Sequence, residues 1–143
     1  DSDIVHTVTT VDVGEEYVEP SCLKKGSFHS FVSQYDYKEE CHLLPNVKFG
    51  MDWLDRLNDR DSCTLANMVL DGKMAKPTYP LVTQVSDVLL GKHPGRTNDD
   101  DIYLFATIGI VITDTLNCYE VYRSCLEKGL GTEVYQWKEP HNM

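Results

Sequence analysis

The chain has 143 residues, the size of about one domain. Hydrophobic residues make up 41% and charged residues 25%, a balance that excludes wholesale disorder. Thirteen basic residues against 23 acidic ones leave a net charge of −10, a field that repels phosphate backbones and argues against nucleic-acid binding.

The longest apolar stretch, Leu104 to Ile112, is broken by Thr107 and Gly109 and falls short of the ~20 residues of a membrane span. The start, Asp1-Ser2-Asp3, is acidic where a signal peptide is basic, and there is no initiator Met. The five cysteines, Cys22, Cys41, Cys63, Cys118 and Cys125, are odd in number and include no Cys-x-x-Cys. That argues against a disulfide framework or a structural zinc site. Five reduced, mostly buried thiols in a cytoplasmic protein are expected instead.

In chain order, Ile4 to Thr10 reads as a strand rich in β-branched residues, ended by Asp12 and Gly14. Glu15 to Lys25 is a charged connection with room for a helical turn near Ser21-Cys22-Leu23. Ser27 to Ser33 is a second strand with Phe28, Ser30 and Val32 on one face. Lys38 to Leu44 predicts a short helix, and Val47 to Met51 a third strand. Thr64 is placed to cap a helix carrying Leu65, Met68 and Val69, closed by Gly72. Thr78 and Pro80 are placed to start another, with Leu81, Val85, Val88 and Leu89 on one face and Gly91 as its stop. Ile102 to Ala106 is a fourth strand. The longest helix spans Gly109 to Lys128 with the stripe Ile112, Leu116, Tyr119, Tyr122 and Leu126, and Thr132 to Trp137 is a candidate last strand.

Strands joined by short helical crossovers predict a parallel α/β sheet. Such sheets commonly cradle a phosphate at a glycine-rich turn after the first strand. Neither Gly-x-Gly-x-x-Gly nor a P-loop occurs; the one Gly-x-Gly, Gly129 and Gly131, follows a helix. The chain therefore reads as the second half of something. His6, His29, His42, His93 and His141 lack metal-ligand spacing, so no metal site is expected.

Several segments, in order, resemble the C-terminal portion of the ornithine cyclodeaminase/mu-crystallin family: Asp3 to Thr9, Lys25-Gly26-Ser27-Phe28, Leu90 to Asp100 (LGKHPGRTNDD), Leu104 to Ile110 with Thr113-Asp114, and Gly129 to Thr132. The run Phe31 to Glu40 departs from the cyclodeaminase pattern. With Asp52-Trp53 and Leu65 to Lys73, it is more similar to the branch that makes 2,3-diaminopropionate by oxidising an N-(carboxyethyl)-amino acid.

The resemblance implies that residues 1–106 are the later part of a Rossmann-type NAD(P)-binding domain. Residues 107–143 would be a helix and strand returning to the substrate and dimerisation domain. The glycine fingerprint and the groups that hold the substrate carboxylate would be supplied by a missing N-terminal half, on the same or a separate chain, and the complete unit would be a homodimer. It implies cofactor contacts, NAD or NADP, from Thr9, Val32, Ser33, Lys38 and Thr107, and a small amino-acid-like substrate beside Ile108 and Gly109. Asp36 becomes the candidate acid/base, with Tyr35 as the rival in an adjacent register. On residue type alone, Thr9 is equally a β-branched strand residue, Asp36 a solvated loop aspartate and Lys38 a surface lysine. The implied reaction is NAD-dependent oxidation of a secondary amine at an amino-acid α-carbon. Ornithine cyclodeamination and a mu-crystallin-type NADPH and small-ligand binder are the alternatives.

Overall fold

The computed structural model describes residues 2–78 and 81–134. They fall into two compact units, residues 1–109 and 110–143.

The first unit is built on five strands: β1 (Ile4–Thr7), β2 (Phe28–Phe31), β3 (Val47–Met51), β4 (Val82–Gln84) and β5 (Ile102–Ala106). Every pairing is parallel, in the order β1-β2-β5-β3-β4. The last strand in sequence is therefore central. The connections carry a 3-10 turn at Pro20–Cys22, helix α1 (Glu39–His42), a second 3-10 turn at Leu54–Asn58, α2 (Thr64–Leu70) and α3 (Val85–Leu89).

Strand alternation sorts the two faces. The register His29↔Leu104↔Phe49 and Phe31↔Ala106↔Met51 puts these residues on one face. There all but His29 join Val47, Val82 and Ile102 with Val18, Cys41, Leu57, Leu65 and Ala66 in one buried core. Burying each large apolar side chain of this cluster is worth roughly 1.5–3 kcal/mol. The other face carries Phe28, Ser30, Tyr103 and Phe105, and Val88 of α3 joins them in lining a groove of about 390 Å³. Gly50 pairs with Phe105, whose ring occupies the space a Cβ at residue 50 would need.

The Lys25–Phe28 and Leu90–Asp100 segments meet at the amino ends of the strands. Gly26 has φ +77, and a Cβ there would lie 2.5 Å from the Asp99 carbonyl oxygen, so glycine is required for this close approach. The Arg96 guanidinium donates to the Asp101 and Ser27 carbonyls and sits 5.0 Å over the Tyr103 ring. The Tyr103 hydroxyl donates to the Gly95 carbonyl at 3.0 Å.

Several elements differ from the sequence reading. β1 and β2 stop at Thr7 and Phe31, the last residues of their paired register. Cys63, not Thr64, is the N-cap of α2; its Sγ accepts the Ala66 N–H at 3.4 Å. Residues 82–84 form β4 on the sheet edge instead of a helix, so only the second half of that helical pattern is helical. Of the thiols, Cys41 and Cys63 are buried while Cys22 and Cys118 are exposed, correcting the expectation of mostly buried cysteines. All five are free.

In the second unit, α4 (Val111–Lys128) ends at Gly129 in the left-handed conformation (φ +64). The Leu130 N–H bonds back to the Cys125 carbonyl, a Schellman closure. The stripe Ile112, Leu116, Tyr119, Tyr122 and Leu126 is more than half exposed. Residues 132–134 carry no strand, and 135–137 lie outside the described residues. No helix among the described residues is long and apolar enough to cross a membrane.

Candidate functional site

A parallel sheet directs all its strand ends to one edge, and ligands of open α/β sheets bind outside that carboxyl edge. Here the last paired residues are Thr7, Phe31, Ala106 and Met51 on four neighbouring strands. The residues that follow them, Val8-Thr9, Val32-Ser33, Thr107-Ile108 and Asp52, therefore gather at one end of the sheet. Thr9, Val32, Ser33, Thr107, Ile108 and Gly109 all lie along this edge.

Backbone bonds hold these exits in line. The Val32 N–H donates to the Thr7 carbonyl at 3.1 Å and the Thr107 N–H to the Phe31 carbonyl at 3.0 Å. The Thr107 hydroxyl lies 3.4 Å from the Ser30 hydroxyl. Ile108 packs onto the core. Gly109 has φ +87 and donates its N–H to the Asp52 carboxylate at 2.5 Å. Val32 is 44% exposed. The Ser33 hydroxyl and the second Asp52 oxygen are buried with no hydrogen-bond partner among the described residues.

After Ser33 the chain turns at Gln34, held at φ +75, whose carbonyl accepts from the Thr64 N–H. This turn sends Asp36 back under the edge. Asp36 has no solvent exposure. One carboxylate oxygen accepts from Thr7 at 2.8 Å; the other accepts from Thr9 at 3.0 Å and Tyr17 at 3.1 Å. The Asp36 carbonyl also accepts the Tyr17 and Val18 N–H groups. Asp36 thus ties the end of β1 to the connection that follows it, and Thr9 and Tyr17 are the exposed members of the cluster.

The neighbouring residues have separate surroundings. The Tyr37 hydroxyl meets His29 Nδ1 at 3.0 Å, and His29 Nε2 meets the Ser27 hydroxyl at 2.8 Å. Burial, and then the Asp36 carboxylate, push the Tyr37 hydroxyl well above its ordinary range, while burial pushes His29 down. Tyr35, the rival to Asp36, is buried, and burial raises its hydroxyl too. Lys38 is not gathered with the edge residues: its ammonium is 2.6 Å from the Glu19 carboxylate, which raises Lys38 and lowers Glu19.

Tyr17, Thr7 and Asp52 escaped the sequence reading. Tyr17 lies in a charged connection with no periodicity, and Thr7 reads only as a strand residue. Asp52 was visible only as part of the Asp52-Trp53 pair. The described residues contain no cluster of three or more side chains able to hold a metal ion.

The edge suits the reactive end of a dinucleotide. Thr9 and Thr107 offer hydroxyls, Ser33 a buried unpartnered one, and Gly109 a backbone without a side chain. The glycine-rich turn that cradles a pyrophosphate does not occur in the sequence.

A parallel α/β sheet whose strand exits gather at one carboxyl edge defines an open α/β protein with its ligand edge there. A profile of the Ornithine cyclodeaminase/mu-crystallin family matches residues 1–129, and the chain belongs to that family. It is 30% identical over 132 residues, 92% of its length, to the N-((2S)-2-amino-2-carboxyethyl)-L-glutamate dehydrogenase of Staphylococcus aureus, covering 38% of that protein. The crystal structure of CmnK shares its fold with a TM-score of 0.78 and 22% identity, over 96% of this chain and 40% of that one. So does the Thermococcus litoralis Delta(1)-pyrroline-2-carboxylate reductase in complex with NADH and L-proline (TM-score 0.71, 22% identity, 92% and 39%). The chain spans about two-fifths of the length of these relatives.

Proposed function

We propose that this chain is the cofactor-facing part of an NAD-dependent enzyme that oxidises a secondary amine at an amino-acid α-carbon, with NADP as the alternative cofactor. The observation that carries the reading is the convergence of Thr9, Val32, Ser33, Thr107, Ile108 and Gly109 on the carboxyl edge of one parallel sheet. The 30% identity to a dehydrogenase acting on an N-(amino-carboxyethyl)-glutamate supports the substrate class.

Residues 1–106 are assigned to the dinucleotide domain and 107–143 to the return toward a substrate and dimerisation domain. The rest of that domain and the phosphate cradle come from a further part of the complete protein, which acts as a homodimer. The bound dinucleotide supplies the hydride acceptor. Thr9, Val32, Ser33 and Thr107 hold its nicotinamide end, and Ile108 and Gly109 border the substrate. Lys38, paired with Glu19, is assigned to the cofactor side by the family resemblance alone. Asp36 is the final acceptor of the amine proton. Water then hydrolyses the imine, leaving 2,3-diaminopropionate and 2-oxoglutarate.

The departure at Gln34-Tyr35-Asp36 from the cyclodeaminase pattern disfavours proline formation from ornithine. The assay is NAD⁺ reduction by the complete protein with N-(2-amino-2-carboxyethyl)-L-glutamate, followed by amino-acid analysis. NADH with both products supports the reading. Proline from ornithine, or NADPH binding without turnover, replaces it with cyclodeamination or a mu-crystallin-type binder.

A further inference from the structure

Asp36 cannot reach a ligand itself, because it has no solvent exposure. Its carboxylate nevertheless belongs to a closed triangle of oxygens. Thr9 Oγ1 lies 3.0 Å from Asp36 Oδ1, Tyr17 Oη lies 3.1 Å from the same atom, and the two hydroxyls lie 3.1 Å from each other. Each edge has hydrogen-bond length. An ionised Asp36 leaves two hydrogens, one per hydroxyl, for three edges, so one edge is always empty. One added proton fills all three. A proton that reaches the triangle therefore has a hydrogen-bonded place in it, and Tyr17, 50% exposed, opens it to the outside.

We propose that Tyr17 is a further catalytic residue, passing the proton of the substrate's secondary ammonium into the triangle. The inference rests on the amine-oxidising reading above. The ammonium N–H bond breaks as its proton moves to Tyr17 Oη, and the proton already on Oη moves to Asp36 Oδ1. The substrate is left as a neutral amine, whose nitrogen lone pair would form the C=N bond as a bound dinucleotide accepted the α-hydride. Imine hydrolysis follows, and return of the Asp36 proton to water through Tyr17 resets the triangle. Thr7 stays outside this path, since it donates to the other carboxylate oxygen at 2.8 Å.

Among the described residues, the ionisable groups facing Asp36 are Tyr17 from the connection after β1 and Tyr37 from its own loop. The Tyr37 hydroxyl meets His29, and Lys38 is paired with Glu19.

The test compares wild-type complete protein, Tyr17→Phe and Thr7→Val, using N-(2-amino-2-carboxyethyl)-L-glutamate and NAD⁺ across pH, with NADH affinity measured separately. Tyr17→Phe should lower kcat by roughly 10- to 100-fold near neutrality with NADH affinity within twofold. The deficit should shrink as pH rises, because the substrate then arrives as the neutral amine. Any loss in Thr7→Val should be the same at every pH. Tyr17→Phe within twofold of wild type, a deficit that does not change with pH, or a Thr7→Val profile matching it overturns the inference alone. A wild-type protein that does not reduce NAD⁺ with this substrate overturns the reading of the site and the inference with it.

Discussion

Asp36 sits on three hydroxyl donors, so its replacement tests chemistry and architecture together. Asn keeps the size but presents an amide NH₂ to hydroxyls whose hydrogens now point at another donor. Asp36→Asn should lower turnover at least ~100-fold, the scale for loss of a positioned acid/base. It should also cost about 1–3 kcal/mol of stability, as expected for a mispaired buried polar group. Single-turnover NADH absorbance and a thermal melt read the two effects. If Tyr35 holds the acid/base position, Tyr35→Phe is the damaging change and Asp36→Asn leaves turnover near wild type. On residue type alone the candidate was an aspartate in a polar loop, and only the family resemblance singled it out. Its partners were not legible, because Thr7, Thr9 and Tyr17 meet it through a turn at Gln34 (φ +75) that no glycine announces.

At the scale of elements, the Leu90–Asp100 segment carried much of the sequence resemblance, yet Arg96 works at the amino end of the sheet, away from the candidate site. It clamps the entries of β2 and β5 through the Ser27 and Asp101 carbonyls. Arg96→Lys loses the planar fork and the stacking on Tyr103, and should cost about 1–3 kcal/mol in a denaturant melt while turnover per folded molecule stays within twofold. A stable variant with damaged turnover would place this segment in the site. β3 and β5 were legible with their boundaries, because β5 is an apolar run and β3 alternates Val47, Phe49 and Met51 after Pro45. β4 was not, because its three residues continue a helical spacing and are strand only through pairing with β3. The Cys63 cap escaped because a thiol is a rare acceptor at that position.

Helix α1 adds a pH dependence. His42 is buried, stacked on Phe49 with ring centroids 6.0 Å apart, and its Nδ1–H donates to the Lys38 carbonyl. Burial lowers its pKa to about 4. A base held below its unfolded value is neutral when folded, so the unfolded chain binds the extra proton first. Stability should therefore fall as pH drops from about 6.5 toward about 4, by up to ~3 kcal/mol. His29, also lowered by burial, acts in the same direction. Chemical denaturation at stepped pH checks this: His42→Phe should flatten the fall, and an unchanged slope would contradict the assignment.

At the scale of the whole molecule, the proposed nicotinamide edge stands beside a sequence without a glycine-rich phosphate turn. That contrast was partly legible, since the missing glycine motif is a sequence fact and the parallel sheet follows from the crossovers. The gathering of the strand exits was not, because it depends on β5 inserting between β2 and β3. The direct measurement is calorimetry of NAD⁺ and ADP-ribose on the complete protein and its Thr107→Val variant. Loss of one hydroxyl contact to the nicotinamide end should weaken NAD⁺ about 5- to 10-fold, the scale of one hydrogen bond, and leave ADP-ribose unchanged. Equal weakening of both ligands, or of neither, would contradict a nicotinamide-facing edge.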